Sequence, residues 1–130
     1  MADIERGARP LSPFMLGQYY RLQLTSVTSL LTRITGNALI VAGLMIVWWF
    51  LAVATGPQAF ARADGVIRSW FGDLVMFLSL WALWYHSLAG VRHLIWDQAV
   101  GLDLPTAYKL GYGVIGGSVV LTLLTTLILW

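Results

Sequence analysis

Three long apolar stretches constrain this 130-residue chain more than any other feature of it. The run 30–54 holds, from residue 38 onward, nothing more polar than tryptophan, and the runs 74–91 and 110–130 carry no charged residue at all. Each is close to the ~20 residues that an α-helix needs to cross a ~30 Å hydrocarbon layer. An all-α membrane protein with three transmembrane helices follows, at about 29–55, 70–96 and 108–130, behind an N-terminal segment 1–28. Composition agrees: 58% of residues are hydrophobic and 11% charged, against about 25% charged in soluble domains. Seven Trp and thirteen Gly suit helices packed closely in lipid with aromatic residues at its boundaries.

Charge and cysteine content narrow the chemistry. Eight Arg/Lys against six Asp/Glu give a net charge of +2, too little for a nucleic-acid surface. There is no cysteine, so disulfides, thiolate zinc sites, iron–sulfur clusters and covalent c-type haem are all excluded within this chain. A redox centre held here must use histidine or be organic. With three spans, Arg6, Arg9, Arg21, Arg33, Arg92 and Lys109 share one side, leaving Arg62 and Arg68 on the other. By the positive-inside rule the N-terminus is cytoplasmic.

The remaining segments read as connectors. Thr55-Gly56-Pro57 and Asp64-Gly65 mark a loop between the first two spans, and residues 101–105 a second loop. The segment 1–23 has two acidic residues and no apolar core beside a cleavage site, so it reads as neither signal nor transit peptide, which favours a bacterial inner membrane. Ser12-Pro13, Phe14-Met15-Leu16 and Tyr19-Tyr20 suggest a stretch lying along the cytoplasmic interface. On the third span Gly113 and Gly117 form a small-xxx-small pair, which serves either packing within the chain or a partner or cofactor surface. Thr122, Thr125 and Thr126 are read as bonding their own backbone.

The second span carries both histidines. At ~100° per residue His86, Gly90, His93 and Asp97 share one helix face. An ionisable side chain at membrane depth normally faces protein, water or a ligand. His86 therefore serves as a haem ligand, a proton relay, a quinone contact or a structural imidazole bonded to a neighbour. If it binds haem iron, its opposite ligand is not His93: bis-histidine ligation brings two nitrogens to about 4 Å, while residues seven apart on a helix are separated by ~10 Å. The second ligand then comes from another polypeptide, and Gly90, one turn away, leaves room for a flat ring. His93, with Arg92 and Asp97, reads as a solvated cluster or as a proton path or haem-propionate contact.

Ser29 and Arg33 stand four residues apart at the hydroxyl-rich start of the first span. Their donors could hold a quinone carbonyl and stabilise the negative charge that grows on it during reduction. Alternatively the arginine snorkels to phosphate and the serine caps the helix.

The stretches Arg9-Pro10-Leu11-Ser12-Pro13, Ser29-Leu30-Leu31-Thr32-Arg33-Ile34-Thr35-Gly36 and His86-Ser87-Leu88-Ala89-Gly90-Val91-Arg92-His93-Leu94-Ile95-Trp96-Asp97 together resemble the cytochrome b membrane anchors of succinate dehydrogenase, respiratory complex II. The likeness extends over nearly the whole chain. It implies a membrane-embedded subunit that docks an iron–sulfur subunit and a flavoprotein subunit beside a second small anchor subunit. By position it implies that His86 is an axial ligand of haem b, that the second anchor supplies the other ligand, and that Ser29 and Arg33 bind ubiquinone. Succinate would be oxidised in the partners and ubiquinone reduced against this chain. The chain departs from the family pattern at Thr32 and Phe14, where histidine is common, which bears on a propionate contact at residue 32. Two rival functions remain on sequence grounds: a haem-free structural anchor and a proton-handling transport subunit, the latter disfavoured by the lack of a carboxylate inside any apolar run.

Overall fold

A computed structural model of the protein describes residues 22–129, all of whose regular structure is helical. The helices are α1 (Leu24–Thr55), α2 (Pro57–Ile67), α3 (Trp70–Asp97) and α4 (Leu104–Leu129). Three of them, α1, α3 and α4, are long and apolar enough to cross a membrane. The interfacial segment expected around Ser12, Phe14 and Tyr19, with Arg6, Arg9 and Arg21, lies outside the described residues, as does Trp130.

At ~1.5 Å per residue, the 32 residues of α1 extend to about 48 Å, more than a bilayer core requires. Its start at Leu24 takes in the hydroxyl-rich sequence before Ser29. There Thr28 Oγ1 donates to the Thr25 carbonyl and Thr32 Oγ1 to the Thr28 carbonyl, so these hydroxyls are satisfied on the helix itself. Gly56 ends α1 at φ 135°, a conformation that disfavours side chains, and Pro57 starts α2 where its missing N–H costs nothing.

The connection between the first two spans is thus largely a helix rather than a loop. Thr55-Gly56-Pro57 does form a chain reversal signal, but Pro57 is also a good first helical residue, and Asp64-Gly65 falls inside the helix, where Asp64 pairs with Arg68 at 3.1 Å. An edge-on contact of Trp49 with Phe60, 5.7 Å between centroids, holds α2 against α1. At the α2–α3 turn Ser69 caps α3 by accepting from the Gly72 amide at 3.2 Å, and a side chain at Gly72 would collide with the carbonyl oxygens of Val66 and Ile67.

α3 is the central element, packed against both α1 and α4. Its buried face is Ala82, Tyr85, Ala89 and Arg92, and that of α4 is Ala107, Gly111, Val114, Ser118 and Thr122, both at helical spacing. Small residues dominate because lipid tails remove the hydrophobic incentive for helix association, leaving close contact and hydrogen bonds to do it. Tyr85, fully buried, donates to the Thr28 carbonyl of α1 at 3.0 Å. The indole of Trp84 donates to Thr125 on α4 at 3.0 Å, so Thr125 links two helices as well as bonding its own backbone at Leu121. Thr122 and Thr126 bond only their own helix.

The α4 glycines divide by role. Gly111 and Gly117 face inward, where an added methyl would meet Leu24 at 3.2 Å and Leu88 at 3.0 Å, whereas Gly113 and Gly116 have nothing within 4 Å. The Gly113/Gly117 pair therefore does not act as one packing surface. Most large apolar side chains, including Leu44, Phe50 and Leu127, point outward, as expected of helices that meet lipid or other subunits.

Candidate functional site

His86 lies on α3 where that helix meets α1. Its Nδ1 is 3.1 Å from the Thr32 carbonyl oxygen and 3.4 Å from Thr35 Oγ1. The Thr35 hydroxyl already donates its one hydrogen to the Leu31 carbonyl at 2.7 Å, so toward the imidazole it offers a lone pair. Both neighbours of Nδ1 are acceptors. In the neutral ring Nδ1 must then carry the proton, which leaves the lone pair on Nε2. Nε2 has no hydrogen-bond partner among the described residues. This is the tautomer and orientation found when a histidine ligates a metal through Nε2 with its other nitrogen bonded to a backbone carbonyl.

Two glycines shape the surroundings. An added methyl on Gly36 would stand 3.0 Å from His86 Cε1, so the absent side chain on α1 is what lets the ring approach. One turn beyond His86, a methyl on Gly90 would touch nothing within 4 Å. Gly90 is therefore not a packing glycine within this chain, and the space over it is open to a flat ligand or a partner. A half-buried imidazole whose Nε2 has no hydrogen-bond partner among the described residues fits a haem ligand.

Ser29 and Arg33 are both exposed on α1. At ~100° per residue they lie within about 60° of Gly36 around the helix, and Ser29 is ~10 Å from Gly36 along it. They thus continue the strip of α1 against which His86 rests, toward the helix N-terminus. Arg33 has no ion-pair partner among the described residues, so its guanidinium is available to a ligand. His93 is exposed, its ring edge-on to Trp96 at 5.4 Å, and Asp97 is the exposed last residue of α3. No hydrogen bond or ion pair joins them among the described residues.

Arg92 is not part of that solvated cluster. It is only 3% exposed, on the Ala82/Tyr85/Ala89 face, with its guanidinium carbon 4.7 Å above the Trp96 ring. The 3-4-3 spacing of that face was the available signal for its burial. Thr32, Thr35 and Gly36 become neighbours of His86 through the register between α1 and α3, which is not written in either helix's periodicity.

Among the described residues no cluster of three or more His, Cys, Asp or Glu could hold a metal alone. Fold and site together define a helical membrane subunit with three helices long and apolar enough to span and a half-buried imidazole at the seam of two of them. The chain belongs to the succinate dehydrogenase/fumarate reductase transmembrane subunit family, whose model matches residues 5–125. It is 52% identical to the succinate dehydrogenase cytochrome b556 subunit of Paracoccus denitrificans, over 98% of this chain and 97% of that one. The cytochrome b560 subunit of Reclinomonas americana is 33% identical over 94% of this chain and 84% of its own length. The cytochrome b556 subunit of Rickettsia conorii is also 33% identical, over 89% of each chain. The protein is thus a membrane component of an enzyme complex and does not oxidise succinate by itself.

Proposed function

We propose that this chain anchors a succinate:ubiquinone oxidoreductase in the bacterial inner membrane, with its N-terminus cytoplasmic, and that it contributes one axial ligand to haem b and part of the ubiquinone-reduction site. The observation that carries the proposal is the lock on His86: two acceptors at Nδ1 leave the ring's lone pair on Nε2, which has no hydrogen-bond partner among the described residues. The family relatives, named as cytochromes b, support the choice of haem as the group it meets.

When bound, haem b supplies a one-electron centre in the membrane. His86 holds it from this side, and the Thr32 carbonyl makes the imidazole a stronger donor by accepting from Nδ1. A second protein ligand to the haem would come from another small anchor subunit, since His93, seven residues along, is ~10 Å away and exposed. Ubiquinone, the substrate, lies against Ser29 and Arg33. The serine hydroxyl donates to a quinone carbonyl, and the permanent charge of Arg33 stabilises the oxygen as it becomes negative. Electrons arrive from an iron–sulfur subunit docked at the cytoplasmic end, itself joined to the flavoprotein subunit that oxidises succinate. His93 and Asp97, both exposed toward the C-terminal end of α3, are the candidates for relaying protons to the quinol or contacting a haem propionate.

Affinity purification of the full-length tagged chain from membranes in mild detergent, followed by mass spectrometry, tests the assembly. It should bring down one flavoprotein, one iron–sulfur protein and one further small membrane subunit. Recovery of the chain with transport proteins instead would contradict the proposal.

A further inference from the structure

A groove of about 160 Å³ opens between α3 and α4, on the side that includes Gly113. Its walls combine two cations, Arg92 and Lys109, with the apolar side chains of Leu88, Val91, Ile95 and Leu110 beside the bare backbone of Gly113. Among the described residues no carboxylate lines it. Arg92 and Lys109 sit at matched depth, each five residues from the α3–α4 connection, with α3 ending at Asp97 and α4 starting at Leu104. That is ~7.5 Å along either helix, the level at which headgroups meet hydrocarbon.

Arg92 is the unusual member. The residue is only 3% exposed, and among the described residues its Nε has no hydrogen-bond partner and no carboxylate pairs with it. Its guanidinium carbon lies 4.7 Å over the Trp96 ring, which does not neutralise a charge. A buried guanidinium without an anion is costly, and a membrane arginine this near a helix end ordinarily reaches out to phosphate. Lys109 supplies a second cation, exposed at the mouth. Asp103, six residues before Lys109, accepts from the Thr106 amide at 3.0 Å and is not among the residues that line the groove.

We infer that this groove binds an anionic phospholipid, its phosphate held between Arg92 and Lys109 and an acyl chain laid over Gly113 between Leu88, Val91 and Leu110. Charge and shape select this occupant together. Two cations at headgroup depth take a phosphate, and the apolar trough runs from them into the hydrocarbon region, where Gly113 leaves the floor open. The site does not depend on His86 or on the quinone residues.

The test uses the whole complex, stripped of lipid in detergent and titrated with phosphatidylglycerol, phosphatidylcholine or inorganic phosphate while thermal stability and bound lipid are measured, the latter by native mass spectrometry. Phosphatidylglycerol should stabilise the complex and stay bound at lower concentration than phosphatidylcholine, and inorganic phosphate should do nothing because it lacks the acyl chain. Lys109→Gln, at an exposed position, should weaken phosphatidylglycerol retention about fivefold, the usual worth of one cation at an anionic lipid surface. Lys109→Arg should restore it. Arg92→Gln should weaken it more, and the lysine variants keep the test decisive if that protein fails to assemble. Equal retention of the two lipids, or indifference to Lys109→Gln, would overturn the inference and point to a partner-subunit carboxylate in the groove. An equal response to inorganic phosphate would overturn the lipid assignment as well.

Discussion

The Nδ1 atom of His86 on α3 and the carbonyl oxygen of Thr32 on α1 stand 3.1 Å apart. A backbone carbonyl can only accept, so this contact assigns the ring proton to Nδ1 and leaves the lone pair on Nε2. It also joins the two motifs that the sequence presents separately, and it fixes the imidazole beside the strip that carries Ser29 and Arg33.

Space on α1 governs that contact. With an added methyl 3.0 Å from His86 Cε1, Gly36→Ala forces the ring to shift by a few tenths of an ångström, and Gly36→Val by more. The alanine variant should retain haem with an altered reduced-minus-oxidised spectrum, and the valine variant should lose most of it. Haem content per flavin in purified complex measures both.

Arg33→Leu should depress ubiquinone reduction by about 10²-fold, the scale seen when a charge-stabilising donor is removed from a reaction site. Succinate oxidation by a soluble artificial acceptor should be unchanged. Assaying both activities on one preparation separates a damaged quinone site from failed assembly. Asp97→Asn should lower quinone reduction only if that exposed carboxylate lies on the proton path, so its pH–rate profile decides between relay and bystander.

Tyr85→Phe removes the hydroxyl that bonds Thr28 across the helix seam. The Thr28 carbonyl still accepts from Thr32 Oγ1 at 2.8 Å, so the loss should be near the ordinary worth of a hydrogen bond, about 1 kcal/mol. Thermal unfolding of the detergent-solubilised complex should shift down slightly, with no change in the visible spectrum.

Asp103 stands just before α4 and accepts from the Thr106 amide at 3.0 Å. Hydrogen bonds from the Thr106 side chain and then its backbone hold the carboxyl below its ordinary 3.8. A carboxyl lowered by folding stabilises the folded state above its unfolded value and loses that contribution as pH falls through the folded value. Asp103→Ala should therefore destabilise the complex at neutral pH, and the gap from wild type should close below pH 3.8. Thermal melts across that range read the difference directly.

The spans were legible because lipid forbids charge along a whole helix, a rule that acts on composition alone. α2 was not, because Pro57 and Gly65 signal turns as readily as they fit a helix, and only the contact of Phe60 with Trp49 decides. His86 stood out by its depth, whereas Thr32, Thr35 and Gly36 became its partners through inter-helix register, which depends on side chains from both helices at once. Arg92 was read with its solvated neighbours His93 and Asp97, yet it belongs by spacing to the face of Tyr85 and Ala89.

The reduced-minus-oxidised visible spectrum of the intact complex carrying His86→Ala tests the central claim most directly. A b-type absorption band present in the wild type should vanish in the variant while flavin and iron–sulfur content stay equal. A variant complex that keeps its full complement of haem would contradict the assignment of His86 as a ligand.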